Sequence, residues 1–219
     1  MKDILDELAA TTRVTGTAQT PAGAGHTVSL SRTYRADIDN VWDALTSAER
    51  IPRWFLPISG ELKLGGRYQF EGNAGGEVLA CEPPRRLLVS WVMGGPGGFS
   101  EVEVRLSTVD DGTLFELTHT ATVPPEMWDQ FGPGAVGVGW DGGLLGLALH
   151  LAGGDASEEE KAAFPFSEEG RAFNIAASEA WGEAYRASGA DEQTVASAVA
   201  ATTAFYVPPS DAGPDGQPM

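Results

Sequence analysis

The chain has 219 residues, 42% of them hydrophobic, so it is long enough and apolar enough to bury a core. Its 31 acidic and 14 basic residues give a formal net charge of -17, which opposes binding to nucleic acids and anionic membranes. The single cysteine, Cys81, excludes an internal disulfide and a zinc site built from cysteines.

The N-terminal residues 1–25 divide into two parts. Ile4, Leu5 and Leu8 predict a short amphipathic helix, and the following TGTAQTPAGAG predicts a flexible linker. This start lacks the apolar core of a secretion signal, and no run in the chain reaches the length of a transmembrane helix. We therefore expect a cytoplasmic protein that does not insert into membranes.

A first strand is predicted at about 26–36, where apolar residues alternate. Two short helices follow between about 39 and 55. Asp39 is expected to cap the first helix, and Ser47 or Ala48 to open the second.

Several more strands are predicted between about 65 and 121, separated by glycine, proline and aspartate turns. The segment SEVEVRLSTV alternates between charged and apolar residues, and His119 shares a face with Phe115 in the next strand. A glycine-rich loop at 94–98 must tolerate unusual backbone angles. Six or seven antiparallel strands of this kind need a cover for their apolar face.

The cover is a helix predicted at about 139–153, where Trp140, Leu144 and Leu147 lie on one stripe. Asp141 is expected to act as a cap near its start. His150 lies opposite the apolar stripe, so we expect it to be exposed.

The C-terminal part changes character after residue 154. Ser157 and Glu160 form a capping-box pattern, and two long amphipathic helices follow. Residues 155–207 are therefore predicted to be a helical extension packed on the sheet domain at 26–154, and 208–219 a disordered tail. The helical extension contains too many large apolar groups for a solvated segment of this length.

The chain resembles the activator of heat-shock-protein-90 ATPase homologue-like family, part of the START-like, birch-pollen-allergen-like superfamily. The resemblance covers about residues 26–152 and rests on motifs in a fixed order. These are R-T-Y-x-A and V-W-D-A-L-T-S-A-E-R within 32–50, W-F-L-P at 54–57, G-G-R-Y at 65–68, C-E-P-P-R-R-L at 81–87 with Trp91, and G-W-D-x-x-L at 139–144.

The resemblance implies an α+β helix-grip fold, in which an antiparallel sheet grips the long helix and leaves a hydrophobic cavity between them. Members of the superfamily bind lipids, sterols, polyketides or plant hormones, and a minority catalyse cyclisation or dehydration. The chaperone-activating branch has a separate N-terminal domain, for which residues 1–25 are too short. We therefore do not expect a chaperone partner on the strength of the family name.

The leading hypothesis is a protein that binds an apolar or amphipathic small molecule in this cavity. Large aromatic side chains supply most of the contact area in such sites. The candidate ligand-binding residues are Trp54, Tyr68, Phe70, Trp91, Phe115, His119, Trp140, Leu144 and Leu147.

Two alternatives stay open. One is a cyclase, dehydratase or hydrolase that uses His119 with a carboxylate or with Tyr68 for proton transfer. The other is a chaperone-associated stress-response protein. The sequence leaves a homodimer open as well.

No cofactor or metal is expected. The glycines at 132, 134 and 137 spell G-x-G-x-x-G, but no strand precedes them and the surroundings are antiparallel, which argues against a dinucleotide site. No second histidine stands at metal-ligand spacing from His119.

Overall fold

The computed structural model describes residues 4–93 and 98–207. The chain divides into two compact units. The sheet unit comprises residues 16–123 and 146–155, and the helical unit comprises the described residues within 1–15, 124–145 and 156–219. The predicted glycine-rich loop lies mostly outside the described residues, at 94–97, and the predicted disordered tail at 208–219 lies wholly outside them.

The described residues form an α+β fold, as predicted. The strands are β1 Thr12–Thr20, β2 Gly23–Tyr34, β3 Ile58–Gly60, β4 Arg67–Phe70, β5 Gly75–Glu82, β6 Arg86–Ser90, β7 Ser100–Val109 and β8 Gly112–Ala121. The helices are α1 Ile4–Ala9, α2 Ile38–Thr46, α3 Ile51–Trp54, α4 Pro125–Phe131, α5 Gly134–Leu151, α6 Glu158–Ala163, α7 Glu168–Ala187 and α8 Glu192–Tyr206. None of the described helices is both long and apolar enough to cross a membrane.

The eight strands form one sheet in the order β1-β2-β8-β7-β6-β5-β4-β3. The pairings from β2 to β3 along this order are antiparallel. In β7, Val102, Val104 and Leu106 are buried, while the residues between them are more exposed, so the predicted alternation is confirmed. The face of the sheet that carries these buried residues is mainly apolar, and we call it the inner face.

The predicted flexible linker at 15–25 is wrong, since β1 occupies Thr12–Thr20 and β2 begins at Gly23. Its sequence, TRVTGTAQT, contains four threonines and a valine, whose branched side chains favour extended backbone. Residues 21 and 22 form the turn into β2, where Gly23 adopts a φ of 109°. The sheet thus has one strand more than the upper number expected.

The helix starts also differ from the predictions. Asp37, not Asp39, is the N-cap residue of α2, although its side chain makes no capping hydrogen bond. The second short helix, α3, begins at Ile51 after a turn rather than at residue 47 or 48. Helix α5 begins at Gly134, about one turn earlier than expected, because Gly132 ends α4 and the chain turns directly into the next helix.

The helical unit has a core of its own. In α7, Phe173, Ala177, Trp181 and Ala184 form one buried stripe, as the prediction of an amphipathic helix requires. Helix α7 packs against α8 and α1, and α4 packs against α8. The capping box of Ser157 and Glu160 begins α6 as predicted.

Candidate functional site

The inner face of the sheet unit carries a continuous aromatic cluster, which comprises Phe55, Tyr68, Phe70, Trp91 and His119. The ring centroids of Phe55 and Phe70 are 5.0 Å apart, those of Tyr68 and Phe70 5.5 Å, and those of Phe70 and Trp91 5.5 Å. Trp91 continues the contact to His119 at 6.5 Å. Neighbouring rings meet edge-to-face or at a tilt, as the quadrupoles of aromatic rings favour.

Four separate elements bring the cluster together. The burial of β4 alternates, which places Tyr68 and Phe70 on the inner face. Phe55 follows α3, Trp91 follows β6, and His119 lies on β8. Phe55 and Trp91 are half-buried, so the cluster reaches the edge of the unit there.

Val92 and Met93, which follow Trp91 directly, are apolar and open to solvent. Val92 is 42% exposed and Met93 is 62% exposed. Exposed apolar residues next to a half-buried tryptophan are the surroundings expected at the entrance of a site for an apolar molecule.

The phenol of Tyr68 is held inside the protein. Its hydroxyl donates a hydrogen bond to the backbone oxygen of Ser90, 2.7 Å away. Burial raises the pKa of Tyr68 well above its ordinary value. The hydroxyl therefore stays protonated at neutral pH and fixes the ring against the cluster.

His119 forms the polar end of the cluster. Its Nε2 lies 2.9 Å from Oγ of Ser100 on the neighbouring strand β7. Burial lowers the pKa of His119 to about 4, because the charged ring would lose its hydration. The imidazole is therefore neutral at pH 7.

The remaining predicted site residues lie in different places. The indole nitrogen of Trp54 donates to the oxygen of Ala44 at 3.0 Å, and its ring centroid lies 5.5 Å from that of Phe55. Phe115 is buried on the inner face and contacts Tyr34 at 5.8 Å. Leu147 is buried in the sheet unit, whereas Trp140 and Leu144 belong to the helical unit, so their part in one site stays a prediction.

The sequence analysis missed two residues of the cluster region, Phe55 and Ser100. The alternation of β7 carried the signal for Ser100, since it shares a face with Val102, which lies opposite His119. Phe55 lies outside any strand, so no periodicity could mark it.

Asp141 was predicted to cap a helix, and this prediction is wrong. Because α5 begins at Gly134, Asp141 lies in the helix interior, and its side chain is 1% exposed. Arg13 of β1 donates to both carboxylate oxygens at 2.8–3.1 Å, and the indole nitrogen of Trp181 donates at 2.9 Å. All three residues belong to the helical unit. The carboxylate is thus a buried acceptor that joins three elements.

The predicted exposure of His150 is also wrong. Its side chain is 7% exposed, with Nδ1 2.8 Å from Asp155 and Nε2 3.2 Å from Nε of Arg50. Arg50 also donates to Asp43 at 2.9 Å. The side chain of His150 is therefore covered within the sheet unit by the charged side chains of Arg50 and Asp155.

Other parts of the described chain are weaker candidates for a functional site than the aromatic cluster. A cleft in the helical unit beside Phe131, Trp181 and Tyr185 has a cavity volume of ≈10 Å³, which is room for about one water molecule and far below the usual size of a ligand site. Within residues 4–93 and 98–207, no group of three or more His, Cys, Asp or Glu side chains could hold a metal ion. The aromatic cluster is the stronger candidate for a functional site.

The comparisons with solved structures place the fold in the helix-grip class. CalU16 from Micromonospora echinospora is 38% identical in its crystal structure, covering 81% of this chain and 99% of that chain, with a TM-score of 0.65. Its solution structure gives 39% identity, 82% and 97% coverage, and a TM-score of 0.68. The predicted fold class is confirmed.

A family model described as Activator of Hsp90 ATPase homolog 1-like protein matches residues 35–151. The chain belongs to this family, as its motifs predicted. The crystal structure of DynU16, described as a protein in the dynemicin biosynthetic locus, is 26% identical, with coverage of 59% of this chain and 48% of that chain and a TM-score of 0.52. Among the curated proteins, the search gave no significant match.

Proposed function

We propose that the protein binds an apolar or amphipathic small molecule at the aromatic cluster of the sheet unit. The observation that carries this proposal is the cluster itself, which runs without interruption from Phe55 to His119 and is partly open to solvent at the half-buried rings of Phe55 and Trp91. Small-molecule sites are lined mainly by such side chains, with a few fixed polar groups.

The relatives support a ligand of biosynthetic origin. DynU16 is a protein of a biosynthetic locus. The superfamily includes proteins that bind lipids and polyketides. A planar apolar product or intermediate presents a flat face of the kind that aromatic rings pack against.

An enzymatic role is the weaker alternative. A general base works best when its pKa is near the operating pH, whereas burial lowers that of His119 to about 4. Tyr68 is the second titratable group of the cluster, and its hydroxyl proton is already donated to Ser90. These two groups are better suited to hold a ligand than to move its protons. A chaperone partner has only the family name in its favour.

The neutral fluorescent probe N-phenyl-1-naphthylamine tests the proposal. Binding to the cluster should raise the fluorescence of the probe, and Trp91→Leu should weaken its affinity by at least about tenfold through lost contact area. Trp128→Leu is the matched control, because Trp128 is also half-buried but contacts Tyr185 in the helical unit. Absence of binding, or an equal loss in both variants, would contradict the proposed site.

A further inference from the structure

The polar end of the aromatic cluster is built from two side chains on adjacent strands. Val102 of β7 lies directly opposite His119 of β8, and Ser100 precedes Val102 by two residues on the same face. This diagonal arrangement brings Oγ of Ser100 to 2.9 Å from Nε2 of His119. The pair therefore faces the same side as the aromatic rings.

The pair is uncharged at neutral pH and can both donate and accept hydrogen bonds. The residues directly opposite His119 are apolar, Val28 on β2 and Val102 on β7, and Trp91 contacts the ring. His26 lies two residues before Val28 on the same face of β2, and burial lowers its pKa too, so it adds no charge at neutral pH. Burial disfavours the imidazolium form. A serine hydroxyl has one proton to donate and two lone pairs to accept with.

The guanidinium of Arg32, on the inner face of the neighbouring strand β2, lies too far from His119 to change the protonation of its ring. Arg32 of β2 is in register with Phe115, four residues before His119 on β8. At the usual rise per residue, this separation is roughly 14 Å. The guanidinium of Arg32 lies 4.6 Å from the ring centre of Tyr34.

We propose that the site selects neutral aromatic ligands that carry a hydroxyl, such as phenols and hydroxylated fused rings, over the corresponding carboxylates. The ring stacks in the aromatic cluster, and its hydroxyl exchanges hydrogen bonds with Ser100 and His119. A carboxylate only accepts hydrogen bonds and would lose its hydration beside an uncharged imidazole. The inference rests on the proposed function and adds the chemical class of the ligand.

Displacement of N-phenyl-1-naphthylamine by three matched naphthalenes tests this selectivity at neutral pH. The competitors are 2-naphthol, 2-naphthoate and 2-methylnaphthalene. We expect 2-naphthol to bind at least about tenfold more tightly than 2-naphthoate, since the charged carboxylate would lose its hydration without gaining a cation from the neutral pair of Ser100 and His119. The methyl compound reports the contribution of the ring alone.

Ser100→Ala removes one member of the pair without adding volume. It should weaken 2-naphthol by about tenfold while leaving 2-methylnaphthalene unchanged. Ser107→Ala is the matched control, because Ser107 lies on the same strand at a position of opposite parity to the buried residues. It should change neither affinity.

The outcomes separate the two proposals. If 2-methylnaphthalene and 2-naphthol displace the probe but 2-naphthoate displaces it equally well, the selectivity is wrong and the binding function stands. Equal effects of Ser100→Ala on the naphthol and on the methyl compound would also overturn the selectivity. If neither the probe nor any of the naphthalenes binds, the binding function fails, and the inference fails with it.

Discussion

Asp141 holds a buried negative charge in the helical unit. Its carboxylate accepts hydrogen bonds from Arg13 and Trp181, and the side chains of the ion pair are 7% and 1% exposed for Arg13 and Asp141. Arg13 also donates to the backbone oxygens of Leu8 and Thr11. A buried charge is tolerated only when its partners are all in place.

Replacing Asp141 by alanine should lower the free energy of unfolding by about 3–5 kcal/mol, because it leaves the Arg13 charge buried without a carboxylate. Urea denaturation measures this loss. The double variant Arg13→Met with Asp141→Leu should recover much of it, since apolar residues of similar volume can replace such a pair. Glu61→Ala, which removes an exposed partner of Lys63, should cost less than about 1 kcal/mol. A similar cost for Asp141→Ala would contradict the argument.

His119 predicts a pH dependence of stability. Its pKa is about 4 in the folded protein and about 6.5 in the unfolded chain, so the unfolded chain binds more protons between these values. The free energy of unfolding is therefore at its full value above about pH 6.5 and decreases as the pH falls towards 4, because protonation of His119 favours the unfolded chain. The size of this decrease is about 3 kcal/mol, from about 1.4 kcal/mol per pKa unit.

Urea denaturation between about pH 6.5 and about pH 5 checks this dependence, because His119→Leu should flatten the slope there. Burial also lowers the pKa of His26, but its ring is less buried, so His26→Gln should keep most of the slope. A slope that survives in His119→Leu would show that other groups set it.

At the level of secondary structure, two glycines of α5 differ in the space that a side chain would have. A Cβ atom at Gly146 would lie 2.3 Å from the backbone oxygen of Trp54, so only glycine fits there. A Cβ atom at Gly142 would meet nothing within 4 Å. The close approach at Gly146 fixes the end of α5 against α3 within the sheet unit.

Gly142→Ala and Gly146→Ala form a matched pair in one helix. The first should raise the free energy of unfolding by up to about 1 kcal/mol, which is the difference in helix propensity between glycine and alanine. The second should lower it by about 1–3 kcal/mol, since backbone must move to relieve the overlap. Thermal unfolding followed by circular dichroism measures both. Equal shifts in the two variants would contradict the assigned packing.

At the level of the whole molecule, the C-terminal helices complete the core of the helical unit. Trp181 donates to Asp141, Thr202 to the oxygen of Phe131 at 3.2 Å, and Tyr206 to that of Ala135 at 2.7 Å. Phe173 and Trp181 are each 1% exposed. These contacts join residues of the extension to helices that precede it in the chain.

Deleting residues 157–219 should therefore lower the melting temperature or cause aggregation. The deletion removes the partners of α1, α4 and the first half of α5, and it exposes their apolar surface. Differential scanning calorimetry and size-exclusion chromatography test this expectation. Deleting only 208–219 is the control and should change neither result. A monodisperse 157–219 truncation with an unchanged melting temperature would show that the extension is an independent appendage.

The sequence determined the features that depend on local periodicity and on short-range chemistry. The alternation of β7, the stripe of α7 and the capping box at Ser157 are each readable within about a dozen residues, because side-chain direction repeats every two residues in a strand and every 3.6 in a helix. The ordered motifs also identified the family and its fold class.

Only the tertiary structure decided how distant polar groups are paired. Asp141 meets Arg13 from 128 positions away, and His150 meets Arg50 from 100 positions away. No local pattern encodes such a contact, since burial of a charge depends on which partner the fold brings to it. The aromatic cluster illustrates the same division: the sequence marked four of its rings, while the close approach of Ser100 to His119 required the register of β7 on β8.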